Sequence, residues 1–173
     1  MKSWLIFLLV VSFTLGQEEK SLSKMDRFVS NSGQIIMLEN YNLADLPGYS
    51  EKVKVVVRRA TVGKDESYYL LLSKEDKYGN KTAAIAEEDL VEVGLALKSL
   101  IQQSQLQETS ADYLENKFTT EDGFQIGYAK GKSITWFITL EKYGKSTILF
   151  DGFDELTMTL ELAMEKIKEL KNG

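Results

Sequence analysis

The chain has 173 residues, a formal net charge of −5, 43% apolar and 27% charged residues, one proline, and neither cysteine nor histidine. Those values fit one ordinary domain that closes its core without disulfides or zinc, and they exclude a disordered chain and a disulfide scaffold. Without histidine or cysteine the chain lacks the commonest general base, the commonest metal ligands and the thiol nucleophile, so no Ser-His-Asp, Cys-His or structural zinc machinery can be assembled.

The first sixteen residues stand apart. Lys2 supplies a short positive start, Trp4 to Leu15 is almost unbroken apolar chain, and Thr14-Leu15-Gly16 places small residues before Gln17. That pattern predicts a secretory signal peptide over 1–16, too short to span a membrane as a helix, and no stable membrane insertion once it is cleaved. Cleavage would remove Lys2 and take the charge from −5 to −5 − 1 = −6. Export without cysteine suits a bacterial periplasmic or secreted protein better than a eukaryotic extracellular module. Asn80-Lys81-Thr82 is a glycosylation sequon that matters only in a eukaryotic secretory pathway.

Residues 17–32 read as a mobile lead-in, with Met25 to Phe28 as its attachment to the body. A single domain of two repeats, 33–106 and 111–171, follows. Gln34 to Glu39 predicts a strand and Tyr41 to Ser50, with the Pro47-Gly48 dipeptide, an irregular connection. Strands are predicted over Lys52–Val62, Ser67–Lys74 and Lys81–Ala86, the last two joined by a turn at Tyr78-Gly79-Asn80. From Glu87, Leu90, Val93, Gly94, Leu97, Leu100 and Ile101 fall on one helical face, with acids at the start to suit the helix dipole. Gln102 to Ser110 reads as a linker.

The order then repeats. Strands are predicted over Tyr113–Thr120, Phe124–Ala129, Ser133–Lys142 and Ser146–Phe150, with a Tyr143-Gly144 turn between the last two. A helix carries Leu156, Leu160, Ala163, Met164, Ile167 and Leu170 on one face, capped by Asp151 or Asp154. SITWFITLEKYGKSTILF (133–150) aligns without a gap to YYLLLSKEDKYGNKTAAI (68–85), Lys-Tyr-Gly on Lys-Tyr-Gly. The reading is α+β: two tandem ββββα units fused about a pseudo-twofold, because each alone leaves one apolar sheet face uncovered.

No motif assigns a chemistry. The carboxylates are scattered, no Asp-x-Asp-x-Asp-Gly calcium loop exists, and Lys130-Gly131-Lys132 has neither of the glycine patterns that cradle phosphates. No catalytic, metal or cofactor residue is therefore named and no cofactor is expected. Arg58-Arg59 is the basic pair on a strand, and Tyr68, Tyr69, Trp136 and Phe137 lie on matched central strands. Core packing is the default for those aromatics. The candidate binding face, were they to point outward, is Arg58, Arg59, Tyr69, Lys132 and Trp136.

The tandem ββββα order from Gln34 to Leu170 resembles the Whirly-type and transcriptional-coactivator single-stranded-DNA-binding fold. Lys130-Gly131-Lys132-Ser133-Ile134 is similar in its basic start to the Lys-Gly-Lys-Ala-Ala-Leu strand of Whirly proteins, without the alanines. The resemblance implies an architecture and transfers no functional residue. Three functions stay open: an exported non-enzymatic domain binding a protein partner or its own copies through sheets or a strand edge; a Whirly-like nucleic-acid binder; and a small-ligand carrier or hydrolase, which needs a pocket.

Charge separates the first two. Backbone binding needs several phosphates neutralised, at about 0.7 log units of affinity per tenfold salt for each, and base stacking adds about 1–3 kcal/mol per base. The acidic chain has no run of adjacent basic residues longer than two. A 30-base oligonucleotide at micromolar protein in about 100 mM salt is expected to show no shift in fluorescence anisotropy. Tight binding that weakens as salt rises would reverse this order.

Overall fold

In a computed structural model the chain is described over residues 22–30, 33–77, 79–106, 110–141 and 146–173. The signal peptide expected over 1–16, Tyr78, and the Tyr143-Gly144 turn lie outside the described residues. Described elements run α1 (Lys24–Val29), β1 (Ile36–Asn42), β2 (Leu46–Pro47), β3 (Lys52–Val62), β4 (Asp65–Lys74), β5 (Lys81–Ala86) and α2 (Glu87–Leu106). β6 (Leu114–Thr119), β7 (Gln125–Lys130), β8 (Ile134–Thr139), β9 (Thr147–Phe150) and α3 (Asp154–Asn172) complete the order.

Both sheets are antiparallel: β1-β3-β4-β5, with β2 beside β3, and β6-β7-β8-β9. Alternation along each strand sorts side chains to two faces. Val53, Val55, Val57, Leu70, Leu72, Ala83 and Ile85 of the first sheet join Ile126, Tyr128, Trp136, Ile138, Ile148 and Phe150 of the second in one buried cluster. The helices supply the rest: Leu90, Val93, Leu97 and Leu100 from α2, and Leu156, Leu160, Ala163 and Ile167 from α3. α2 touches β4 and β5 of its own repeat and β6 and β7 of the other. α3 lies on β2 and β3, strands of the first repeat, and on α2. Neither half closes its own core, as the α+β two-repeat reading requires.

The repeat has a phase shift that the ungapped alignment hides. Hydroxyl pairs mark equivalent positions at the two hairpins: Ser73 with Thr82, and Thr139 with Thr147, each 2.9 Å apart. Residues 74–81 separate the first pair and 140–146 the second, so the first turn is longer by one residue. Leu70, opposite Val57 and Ile85, is thus the counterpart of Trp136, opposite Tyr128 and Phe150. The ungapped alignment set Leu71 against Trp136; since strand side chains alternate, a one-residue slip exchanges the two faces. Leu71 in fact faces away from the main core, in a second cluster.

Four further expectations are corrected. The lead-in contains α1, opened by Ser23, whose hydroxyl oxygen accepts from the Asp26 N–H. Met25, Phe28 and Val29 of this helix cover Val56, Ala60, Tyr69 and Leu71 on the outward face of the first sheet, an apolar patch that would otherwise face water. The irregular 41–50 connection contains β2, which pairs Leu46 with Val53 and buries Leu46 to 1% exposure. α2 runs on through Gln102–Leu106, where the linker was expected, with Ser104 buried and its hydroxyl donating to the Ile101 carbonyl. Neither Asp151 nor Asp154 caps α3: Phe153 holds that position without a side-chain bond, and Thr157 donates to its carbonyl through both N–H and hydroxyl.

The two sheets meet where β2 ends. The Tyr49 N–H donates to the Leu149 carbonyl of β9 at 2.9 Å. A Cβ on Gly48 would stand 2.6 Å from Cγ2 of Ile148, so only glycine allows this approach.

Leu160 sits at 5% exposure beneath α3, whereas Lys168 on the same helix is exposed. Leu160→Ala is expected to cost about 2–5 kcal/mol and Lys168→Ala under about 0.5 kcal/mol, read as urea midpoints. Equal midpoints would contradict this packing.

Candidate interaction surface

The five residues of the sequence-derived binding face do not share a surface. Trp136 is 3% exposed, wedged between Tyr128 and Phe153 with ring centroids 5.3 and 5.4 Å away. Lys132 is exposed in the β7–β8 turn. Arg58 and Tyr69 are cross-strand neighbours on the outward face of the first sheet, beneath α1. Tyr69 is 2% exposed with Phe28 centred 6.5 Å away, and Arg58 Nε donates to Asn40 Oδ1 at 2.8 Å. Arg59 points to the other face, where its Nε donates to Glu39 Oε2 at 2.6 Å.

The arginines and phenols here are engaged. The Glu39 carboxylate holds the Arg59 guanidinium above its ordinary range. Tyr68 donates to Glu66 at 3.0 Å, and burial first, that carboxylate second, raises its phenol. Lys171, at the end of α3, reaches Glu87 at 2.8 Å and lies 6.0 Å from the Tyr68 ring centre. Burial also raises the Tyr69 phenol. Such pairs lock β1, β3, β4 and the ends of both long helices together. Among the described residues no three carboxylates converge as a metal site.

A cleft of about 160 Å³ separates α2 from α3, lined among others by Val91, Gly94, Leu95, Lys98, Glu161 and Met164. Its origin is local. Across the gap, a Cβ on Gly94 would meet Met164 Cε at 3.9 Å, an ordinary contact, so the missing side chain leaves room there. The volume is below the roughly 300 Å³ at which small-molecule pockets begin, and the lining is mostly apolar, with Lys98, Thr157 and Glu161 as its polar members.

Among the described residues, the edge strand β1 and Ile35 before it carry an uncovered apolar run. Ile35, Ile36, Met37 and Leu38 are 87%, 39%, 48% and 46% exposed, four apolar side chains in a row. β1 closes the first sheet on one side, with β3 as its described partner. Ile35 gives its carbonyl to the Gly63 N–H, and Leu43 gives its N–H to the Val55 carbonyl. Odd-numbered residues therefore bond inward to β3, and in an antiparallel strand the N–H and C=O of Ile36, Leu38 and Asn40 point to the open side.

Other edges are guarded. β6 alternates Glu115 and Lys117 toward solvent, an ion pair at 2.8 Å that, with the Tyr113 hydroxyl, holds the Glu115 carboxyl below its ordinary range. β9 receives the Tyr49 N–H, and β5 opens with Lys81, paired to Glu141 at 3.2 Å. Charges and covering contacts are the usual defences of a sheet edge, and Gln34 to Leu38 has neither. Sequence reasoning placed the strand and allowed for binding through a strand edge, but did not place this strand at one, since a four-residue apolar run reads equally as a strand buried on both faces.

No family model, no curated protein and no solved structure matches this chain.

α1 is held beside this sheet by charge. Lys24 Nζ lies 2.6 Å from Asp89 and 3.4 Å from Glu88, the Lys24 N–H donates to Asp122 at 2.8 Å, and Arg27 reaches Glu121 at 3.5 Å. The Asp89 bond is the main cause of a raised Lys24 pKa. A cation raised on folding stabilises fully below its unfolded value, here 10.5, and loses that contribution as pH climbs through the folded value. Lys24→Met leaves the largely buried Asp89 short of its partner and is expected to cost about 1–3 kcal/mol in urea at neutral pH. That cost should shrink in an Asp89→Asn background and at strongly alkaline pH. An unchanged cost in the double variant would remove the pair from the account of α1.

Proposed function

We propose that this chain is an exported, non-enzymatic protein-interaction domain that binds by taking an extended partner strand onto the open edge of β1. The observation that carries it is the run Ile35–Leu38, apolar on both faces and exposed at the one sheet edge lacking charge or cover among the described residues. Main-chain groups of Ile36, Leu38 and Asn40 supply hydrogen bonds, and the apolar side chains supply buried area, the two sources of affinity in strand addition. Contacts from the core anchor the edge: Arg59 binds Glu39 from β3, and Lys166 of α3 lies 5.2 Å from the Tyr41 ring centre. Export is supported by the apolar Trp4–Leu15 run behind Lys2.

A short Val/Ile/Thr peptide is the probe. On adding it, amide exchange at Ile36, Leu38 and Asn40 should slow, while Leu38→Lys should weaken binding by about tenfold or more through an edge charge. Protection that appears elsewhere and leaves β1 unchanged would overturn the assignment.

A further inference from the structure

The edge described above is also self-complementary. Resting on that strand-addition reading, we infer that the strand β1 takes up is β1 of a second copy, antiparallel about a twofold at Met37. Three observations lead there. The open hydrogen-bonding groups belong to Ile36, Leu38 and Asn40, as the inward bonds of Ile35 and Leu43 require. A twofold at Met37 sets Ile36 against the second copy's Leu38, so residues with outward-facing backbone groups meet each other. The same register lays apolar on apolar: Met37 faces its own copy on one side of the sheet, and Ile36 faces Leu38 on the other.

Charge agrees. Ile35–Leu38 carries none, and the nearest acid, Glu39, is bound by Arg59 at 2.6 Å and would stand opposite Ile35 of the second copy rather than another acid. A twofold at Leu38 instead would bring Met37 against Glu39 and Ile36 against Asn40, losing apolar pairing. The Met37 register joins the two first sheets into one continuous sheet and closes the assembly at two copies, because the edge is consumed.

The chain has no cysteine, so one introduced thiol reports the register cleanly. Facing residues of a non-hydrogen-bonded antiparallel pair have Cα atoms about 4.5 Å apart, within disulfide reach. Met37→Cys should give a disulfide-linked dimer on mild oxidation, and Leu38→Cys, offset from its own copy, should link far less. Sedimentation across a concentration series should show a dimer for the unmodified chain and a monomer for Leu38→Lys, with circular dichroism unchanged, since both side chains are half-exposed. A monomer at every concentration overturns the second copy as occupant; if the Val/Ile/Thr peptide still protects the β1 amides, strand addition itself stands. A dimer that survives Leu38→Lys, or that links through Leu38→Cys and not Met37→Cys, overturns the proposed contact and register.

Discussion

One constraint governs the molecule: neither sheet can bury its apolar face without the other repeat. α2 is wedged against strands of both sheets, and α3 crosses back onto β3 and β2. The core that results runs from Leu46 to Ile167 without a break between repeats. Removing one large side chain from such a core leaves a cavity whose walls come from both halves, which is why stability here is a property of the whole chain. The ion pairs follow the same logic. Lys171 with Glu87, Lys81 with Glu141 and Lys24 with Asp89 each join segments far apart in sequence. Those with much solvent exposure add little individually, but each fits an arrangement that packing has already chosen.

The duplication is accurate in architecture and inexact in detail, and the inexactness matters physically. One extra residue in the β4–β5 turn puts Leu70 and Leu72, not Leu71, in the places of Trp136 and Ile138, so Tyr69 and Leu71 look away from the core. Outward-facing Tyr69 and Leu71 then require a cover, and α1 provides it. At the helices Gly94 faces Met164 across the small cleft between α2 and α3.

Among the described residues, β1 is the sheet edge that the fold leaves open. β6, β9 and β5 are shielded by charge, by the Tyr49 amide or by an ion pair. β1 presents an apolar run at the first strand of the sheet, an arrangement that costs aggregation risk unless something uses it.

Local pattern determined much of this protein. β-favouring residues between turn signals located β3, β4 and β5, period 3.6 located α2 and α3 with Leu90, Val93, Leu156 and Leu160 on their buried faces, and repetition of the order yielded the two-sheet α+β architecture. Periodicity reports which residues share a face, because it is set by backbone geometry within a few residues. It does not report what that face meets. Only the tertiary structure decided that Trp136 is core, that Tyr69 lies under α1, that Arg59 answers Glu39, and that Ile35–Leu38 stands open at an edge. Each of those depends on contacts between segments distant in sequence, or on their absence, and a single apolar run reads the same whether its neighbour is another strand or water.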